Sequence, residues 1–497
     1  MKQIVITMIL WSLFLKLEGQ GINNIWLQGY ESYNGLPAGI TLFDFNTGNP
    51  SISYDSLEME FNYTHANVSD SAGNLLFYTN GYYIADATND TMQNGGGISP
   101  GAYANQFSDG FLIPQGALIL PKPGSSTIYY MFHNSADAYP IIPNNSTSFK
   151  FYVTTIDMSL NGGLGAVTTK NVVLLTDSMN VGKIAGCKHA NGRDWWVMIH
   201  RVNSNKFFKF LVTPSIILGP YQQFIGSTRQ DDGGQVKFSP DGSKIAYYHI
   251  FNGLDIFDFN RCNGNLSNYK HDILPSVGGL VGCEFSPNSQ LLYVSNVEKV
   301  YQYDLNASNV IASRTEVAVW DSFTQPGNPG LGAYLCFSQL APDGKIYITT
   351  GNGTTYFGRI EYPDSLGMAC TIAQHSVLLP TFNFNTLPNH PNYFLGCDTT
   401  LGCICAISTG INDGSSQNIA ARASPNPTTG FFTLQFNVQS IAGTLEIYDV
   451  MGNLMMRDYV APWSQFKKID ISNMASGIYF GKMQWENTAA SVKIVKE

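Results

Sequence analysis

Short apolar-aromatic runs recur along the chain, each fed by a turn rich in Pro, Asp, Asn and Gly. Asp70-Ser-Ala-Gly-Asn precedes LLFYTN, Pro121-Lys-Pro-Gly precedes TIYYMFH, and His189-Ala-Asn-Gly precedes WWVMIH. FSPDG, FSPNS and LAPDG, ending at Gly242, Ser289 and Gly344, precede KIAYYHI, LLYVSN and KIYITTG. The rough period of two and the Tyr, Ile and Val content predict half-buried β-strands. In the turns, Pro presets φ, Asp bonds to its own backbone and Gly accepts positive φ. The turn Gly (Ser in one unit) falls at 73, 124, 192, 242, 289 and 344, with intervals of 51, 68, 50, 47 and 55. A further strand follows in several units, as in FYVTTIDM, FFKFLVTP, LDIFDFN and VYQYDL. Three or four antiparallel strands in about 50 residues is the size of one β-propeller blade. ITLFDFN, within the segment from Ile22 to Ala66, is similar to LDIFDFN and predicts one more blade or a strand that closes the ring. The fold class is therefore all-β, a propeller of about seven blades over 21–400. Six or eight blades, or an extended sandwich array, are the alternatives.

Beyond LPNHPNYFLGC the pattern changes. Residues 401–420 contain no aromatic residue and predict a linker. Residues 421–497 carry seven Lys+Arg and six Asp+Glu, a net +1, which leaves −10 on the remainder and marks a separate domain. Its six or seven short strands predict a small immunoglobulin-like β-sandwich. Ala423-Ser-Pro-Asn-Pro-Thr-Thr-Gly430, then EIYDVMGN, then ASGIYF resemble, in that order, the type A C-terminal sorting domain of the type IX secretion system. The positions that carry the motif are Pro425, Asn426, Pro427, Gly430, Gly452, Gly477 and Tyr479, and Lys493 and Lys496 fit the usual basic ending. The resemblance implies Sec export, passage across the outer membrane guided by this domain and the secretion machinery, removal of the domain, and release or attachment at the cell surface. GNLLFYTNG, KHANGRDWWVMIH, RCNGNLSN and APDGKIY resemble large secreted proteins of the same bacteria with WD40-like or PD40-like repeats. That likeness implies a fold and no activity.

The N-terminus agrees with export. Lys2 precedes an apolar stretch from Ile4 to Leu15, ended by Lys16 and Glu18, which predicts a signal peptide over 1–20 with cleavage near Gly19–Gly21. The alternative is a buried N-terminal strand or helix. No other stretch reaches the 18 apolar residues of a membrane span, so a soluble mature protein is expected. Eight Cys in an exported chain permit disulfides. The expected pairs are Cys262–Cys283 and one bridge from Cys370 or Cys397 to Cys403 or Cys405. Cys187, Cys283 and Cys336, just before repeat turns, also read as small buried hydrophobes.

Composition acts mainly by exclusion. Hydrophobic residues at 44% support a core, and charged residues at only 13%, with a net charge of −9 and no basic run, argue against nucleic acid. Gly97-Ile-Ser-Pro-Gly101 matches G-x-S-x-G, yet Pro100 lacks the N–H that the residue after such a nucleophile donates to an oxyanion. No H-E-x-x-H, P-loop or G-x-G-x-x-G occurs. Asp231-Asp232-Gly-Gly reads more simply as a solvated turn than as a cation loop. No catalytic residue, cofactor or metal is assigned. The densest binding-type cluster is Trp195, Trp196, His200 and Arg201. On a strand the two Trp face opposite sides, so at most one can meet a ligand, and packing between blades is the competing duty. Asp-Ser/Thr-apolar triplets starting at Asp55, Asp70, Asp90, Asp177 and Asp364 resemble the O-glycosylation sequon of exported proteins of such bacteria. The expected function is an exported propeller module that binds a glycan or protein, with a secreted polysaccharide hydrolase or lyase, or a structural adhesin component, as alternatives.

Overall fold

The computed structural model describes residues 21–101, 104–135, 137–138, 146–230, 233–275, 280–406, 421–436, 442–461, 466–485 and 489–497. The expected signal peptide and the Asp231-Asp232 pair lie outside these residues. The chain divides into two units, Met1–Ala406 and Ile407–Glu497.

Among the described residues, the first unit contains seven antiparallel sheets of three or more strands in sequence order, each one blade, and a two-stranded hairpin, Thr324–Gln325 with Asn328–Gly332, between the last two blades. Blade 1 holds Ile25–Tyr30, Gly39–Asp44 and Ser51–Asp55, and blade 2 holds Ala66–Ser69, Leu75–Thr79 and Ile84–Asp86. Blade 3 begins at Ala117–Pro121, blade 4 at Ala185–Lys188, blade 5 at Gly234–Phe238, blade 6 at Gly282–Phe285 and blade 7 at Ser338–Leu340, and each of these five is a path of four strands. The expected extra blade between Ile22 and Ala66 is thus blade 1, and Ala66 itself opens blade 2.

The core shows why the sheets form a closed ring. Alternate side chains of a strand point to opposite faces, so each blade contributes to two apolar clusters. Blades 1 and 2 share Leu27, Ile40, Phe61 and Tyr78. Blades 3 and 4 share Phe132, Phe151, Trp195 and Phe210. Blades 4 and 5 share Trp196, Phe207, Tyr247 and Phe257. The series continues around to Trp26, Phe43, Tyr347 and Phe357, which join blade 7 back to blade 1. There Thr41 Oγ1 and Thr381 Oγ1 share a 2.7 Å hydrogen bond, and Phe382 N donates to Pro37 O at 2.7 Å.

The repeat turns adopt the predicted backbone. Gly73, Gly124, Gly192, Gly242 and Gly344 have φ between +71° and +88°, and Ser289 has +61°. Turn acids bond their own backbone: Asp70 Oδ1 accepts from Ala72 N and Asn74 N, and Asp241 Oδ1 accepts from Ser243 N at 2.9 Å.

The disulfides differ in part from expectation. Cys397 bonds to Cys405, the expected kind of bridge, but Cys262 bonds to Cys403 and not to Cys283. Cys283 and Cys370 are buried free thiols, as are Cys187 and Cys336. Cys283 packs between blades 5 and 6 and Cys370 between blades 6 and 7, where a small apolar side chain is needed. Residues 401–406 belong to the first unit: Cys262–Cys403 ties them to blade 5, and Cys397–Cys405 closes a small loop around that bridge. The remainder of the expected linker, 407–420, lies outside the described residues.

The second unit is two antiparallel sheets over one core. Arg422–Ser424, Phe431–Gln435 and Phe466–Asp470 form one, and Leu454–Val460, Gly443–Asp449, Gly477–Gln484 and Ala489–Lys496 form the other. Leu434, Leu445, Ile447, Met483, Trp485 and Ile494 fill the space between them.

Candidate functional site: the propeller axis, its rim and the C-terminal motif

Propeller ligands usually meet the ring at its central channel, so what occupies that channel decides the chemistry available. Here the segment that follows blade 7 passes along it. Residues 385–391 are all buried. Thr349 Oγ1 donates to Asn385 Oδ1 at 2.9 Å, and Thr386 Oγ1 donates to Phe61 O at 2.7 Å. Asn389 N donates to His65 O, while its Nδ2 donates to Ala117 O and Ile184 O, both at 2.9 Å. His390 Nε2 donates to Asn67 O, Tyr393 Oη to Ile119 O and Asn392 Nδ2 to Pro240 O. The partners progress from the starts of the inner strands to their far ends, so the segment runs the length of the channel and emerges on the side of the repeat turns. Gln115 reinforces it by donating to Asn389 Oδ1 and Val236 O and accepting from Val236 N. At the exit, buried Arg261 donates to Gly396 O at 2.6 Å and Lys188 O at 2.9 Å. Asn and Pro suit this path: Asn side chains pair with carbonyls that no strand satisfies, and Pro388 and Pro391 need no amide partner.

The predicted cluster lies elsewhere. Trp195 is buried between blades 3 and 4, its ring 5.9 Å from Tyr393 of the axial segment. Trp196 is buried between blades 4 and 5 and donates Nε1–H to Arg261 O at 2.8 Å. His200 is buried against Phe207 and Tyr247, and only Arg201 is partly exposed, paired with Asp177 at 3.0 Å. These side chains join blades, and three of the four offer no surface to a ligand. The alternation that put the two Trp on opposite faces is what assigns each to a different seam.

Ser99 and His133 meet where sequence reasoning set Ser99 aside. Ser99 Oγ and His133 Nδ1 share a 2.7 Å hydrogen bond, and His133 Nε2 bonds Thr154 Oγ1 at 2.9 Å. Both residues are 1% exposed. Burial pushes the imidazole down to about 3, too weak a base for a neutral-pH nucleophile. The third group is a hydroxyl and not a carboxylate. The trio is a buried polar link between the loop at Ser99 and blade 3.

On the rim, a groove of about 420 Å³ opens between blades 7 and 1, lined by Asn49, Ile52, Lys345, Arg359, Ser376 and Leu378 among others. Lys345 and Arg359 both pair with Glu361, at 2.5 and 2.6 Å, so two cations share one carboxylate and the wall keeps a net positive charge. Lys209, between blades 4 and 5, is lowered to about 8 by burial and donates to Gly264 O. It serves packing, not chemistry.

The C-terminal motif residues hold the last strand. Asn426 Nδ2 donates to Lys493 O at 2.7 Å, and Val495 N donates to Asn426 Oδ1 at 2.8 Å. Pro425, Asn426 and Pro427 are exposed. Gly430 has φ +136°, and a Cβ there would stand 2.7 Å from Ser472 Cα. Gly452 closes the Asp449–Asn453 turn with φ +83°. Gly477 opens the strand that holds Tyr479, whose hydroxyl donates to Ala475 O at 2.7 Å. Lys496 Nζ donates to Ser472 O.

Residues 423–497 match the family described as the secretion system C-terminal sorting domain. No curated protein matches the chain. Solved structures similar to it include a putative 6-phosphogluconolactonase from Bacteroides fragilis, 12% identical with a TM-score of 0.43, covering 74% of this chain and 97% of that one. A quinoprotein alcohol dehydrogenase-like protein from Bacteroides thetaiotaomicron is 12% identical, with a TM-score of 0.38 and coverage of 73% and 78%. The Cps50 (Swd1) propeller domain of Myceliophteria thermophila is 10% identical, with a TM-score of 0.35 and coverage of 66% and 89%. The chain thus carries a type IX sorting domain behind a β-propeller, which directs it to the cell surface or the medium. No helix among the described residues is long and apolar enough to cross a membrane.

Proposed function

We propose that the protein is an exported binding module, guided out by its sorting domain, that takes a glycan or protein ligand on the outer rim or faces of its propeller. The observation that carries this reading is the filled axis. A channel occupied by Asn385–Pro391 leaves no room for a substrate chain to reach convergent groups at its centre. That weighs against a hydrolase or lyase working at the propeller mouth. The rim groove beside Lys345 and Arg359 is the concave surface we favour for the ligand. Low charge and many Tyr and Asn suit recognition by stacking and hydrogen bonding. The structural adhesin reading differs only in needing no soluble ligand. Signal-peptide removal at about Gly21, and loss of the C-terminal domain after transit, complete the proposed route.

Two experiments test the proposal. The protein without its first 20 residues is mixed with polysaccharides and with biofilm or host proteins. Melting shifts are recorded with mass spectra of the supernatant. A ligand that binds only the native state raises the midpoint. A shift without new products, reduced by Lys345→Ala, supports a binding module at the groove; new oligosaccharides refute it in favour of an enzyme; silence moves the reading to an adhesin. Separately, a chain ending at Ala420 is expected to accumulate in the periplasm, and its appearance at the surface would remove the sorting role.

A further inference from the structure

Cys262 sits in the turn between the last two strands of blade 5, and Cys403 sits just beyond the axial segment. Their bond spans a sequence separation of 141. The last strand of blade 5, all of blades 6 and 7 and the axial segment lie inside that covalent loop. Tension entering from the C-terminal side therefore reaches Cys403 and crosses to Cys262 without loading any backbone bond within the loop. Cys397–Cys405, with a separation of 8, closes a small loop that contains Cys403, so the load passes through residues 405–403 to reach the long bridge. Absent the long bridge, the same tension would act on residues 384–396 directly. That segment forms no strand with a neighbour and is held mainly by side-chain hydrogen bonds, from Thr386, Asn389, His390, Asn392 and Tyr393, placed one after another along its exit. Bonds in such a series break one at a time. Arg261, next to Cys262, grips Gly396 O from blade 5 and so places the staple at the point where withdrawal would begin.

We propose that the Cys262–Cys403 bond is a tension shunt, which keeps the axial segment unloaded while the protein is held from its C-terminal side. The source of the load rests on the export reading; the load path rests on the connectivity alone.

The test is single-molecule pulling on the chain from Gly21 to Glu497, compared with its Cys262→Ala/Cys403→Ala variant and with a Cys397→Ala/Cys405→Ala control. With the bond in place, the propeller is expected to release a contour length about 50 nm shorter than without it, since roughly 140 residues at ~3.6 Å each stay hidden. In the variant, whose Cys397–Cys405 bridge still hides residues 398–404, an early low-force step of roughly 6 nm should appear as the rest of residues 384–406 leaves the axis. The control should behave as the intact chain does. If the variant does not fold, reduction of the folded chain under the same load supplies the comparison. Peptide mapping that fails to join Cys262 to Cys403 would overturn the proposal, and so would a variant or reduced chain with no early step. A sorting-domain truncation that still reached the surface would refute the export reading and leave these outcomes unchanged.

Discussion

Asn389 is where the ring's closure converges, and its replacement gives the sharpest measure of the axial segment's worth. In Asn389→Ala, the carbonyls of Ala117 and Ile184 lose donors now at 2.9 Å. Gln115 Nε2 loses an acceptor at 3.1 Å but keeps Val236 O at 2.9 Å. Each stranded buried carbonyl costs about 1–2 kcal/mol, and Gln115, with one acceptor left, costs less. The sum is about 3–4 kcal/mol, a large fraction of a typical folding free energy. Asn389→Asp should cost more, because a desolvated carboxylate would face the same two carbonyls. Thr386→Val, which removes the one hydroxyl donor shared by Phe61 O and Asn62 O, should cost about 1 kcal/mol. Equilibrium urea unfolding reports the change. Near-ultraviolet signals suit it, because Trp195 lies against Tyr393 of the same segment. The expected result is a lower midpoint at an unchanged slope. A loss below about 0.5 kcal/mol for Asn389→Ala would mean that these bonds do not hold the ring, and the reasoning would be wrong.

Further predictions concern pH, turns and a buried ion pair. Burial holds His65 well below the usual histidine range, His133, His200 and His390 at about 3, and His249 at about 2. All five are neutral when folded. The unfolded chain binds their protons first, so their contribution is full above pH 6.5 and falls as pH drops below it. At pH 5 His133, His200, His249 and His390 each lose about 2 kcal/mol, and His65 acts in the same direction; a denaturation midpoint that stays flat from pH 7.5 to 5 would contradict this. Gly344→Ala should cost about 1 kcal/mol, from φ +77° alone, since a Cβ there meets nothing. Gly242→Ala should cost more, since its Cβ would stand 2.7 Å from Arg261 Cδ and 2.9 Å from Cys187 Sγ; equal losses in thermal melts would discount the packing. Asp255→Asn leaves Arg229, 0% exposed, without its counter-charge. The expected loss is about 3–5 kcal/mol, and a melting temperature within a degree of the parent would refute it.

What could be read from the sequence was what neighbouring residues decide among themselves. The period of two in WWVMIH, and the Pro, Asp and Gly of FSPDG, act through contacts a few residues apart, so strands, turns and spacing were legible before any fold was known. The positive φ at Gly242, Ser289 and Gly344 realises that turn chemistry directly. The C-terminal unit was legible for the same reason, as three short motifs in fixed order. The duty of Trp195 and Trp196 was half legible. Alternation put them on opposite faces, but which neighbour each would meet depended on ring closure. Tertiary structure alone decided the rest. Asn389 finds Ala117 across 272 positions, and Cys262 finds Cys403 across 141. Ser99 meets His133 only because a loop folds back onto blade 3. LPNHPNYFLGC carries no strand periodicity, and its Pro and Asn residues read locally as a loop. Its place on the axis follows from the geometry of seven blades, whose inner strands present unpaired polar groups to a channel that one extended segment can fill.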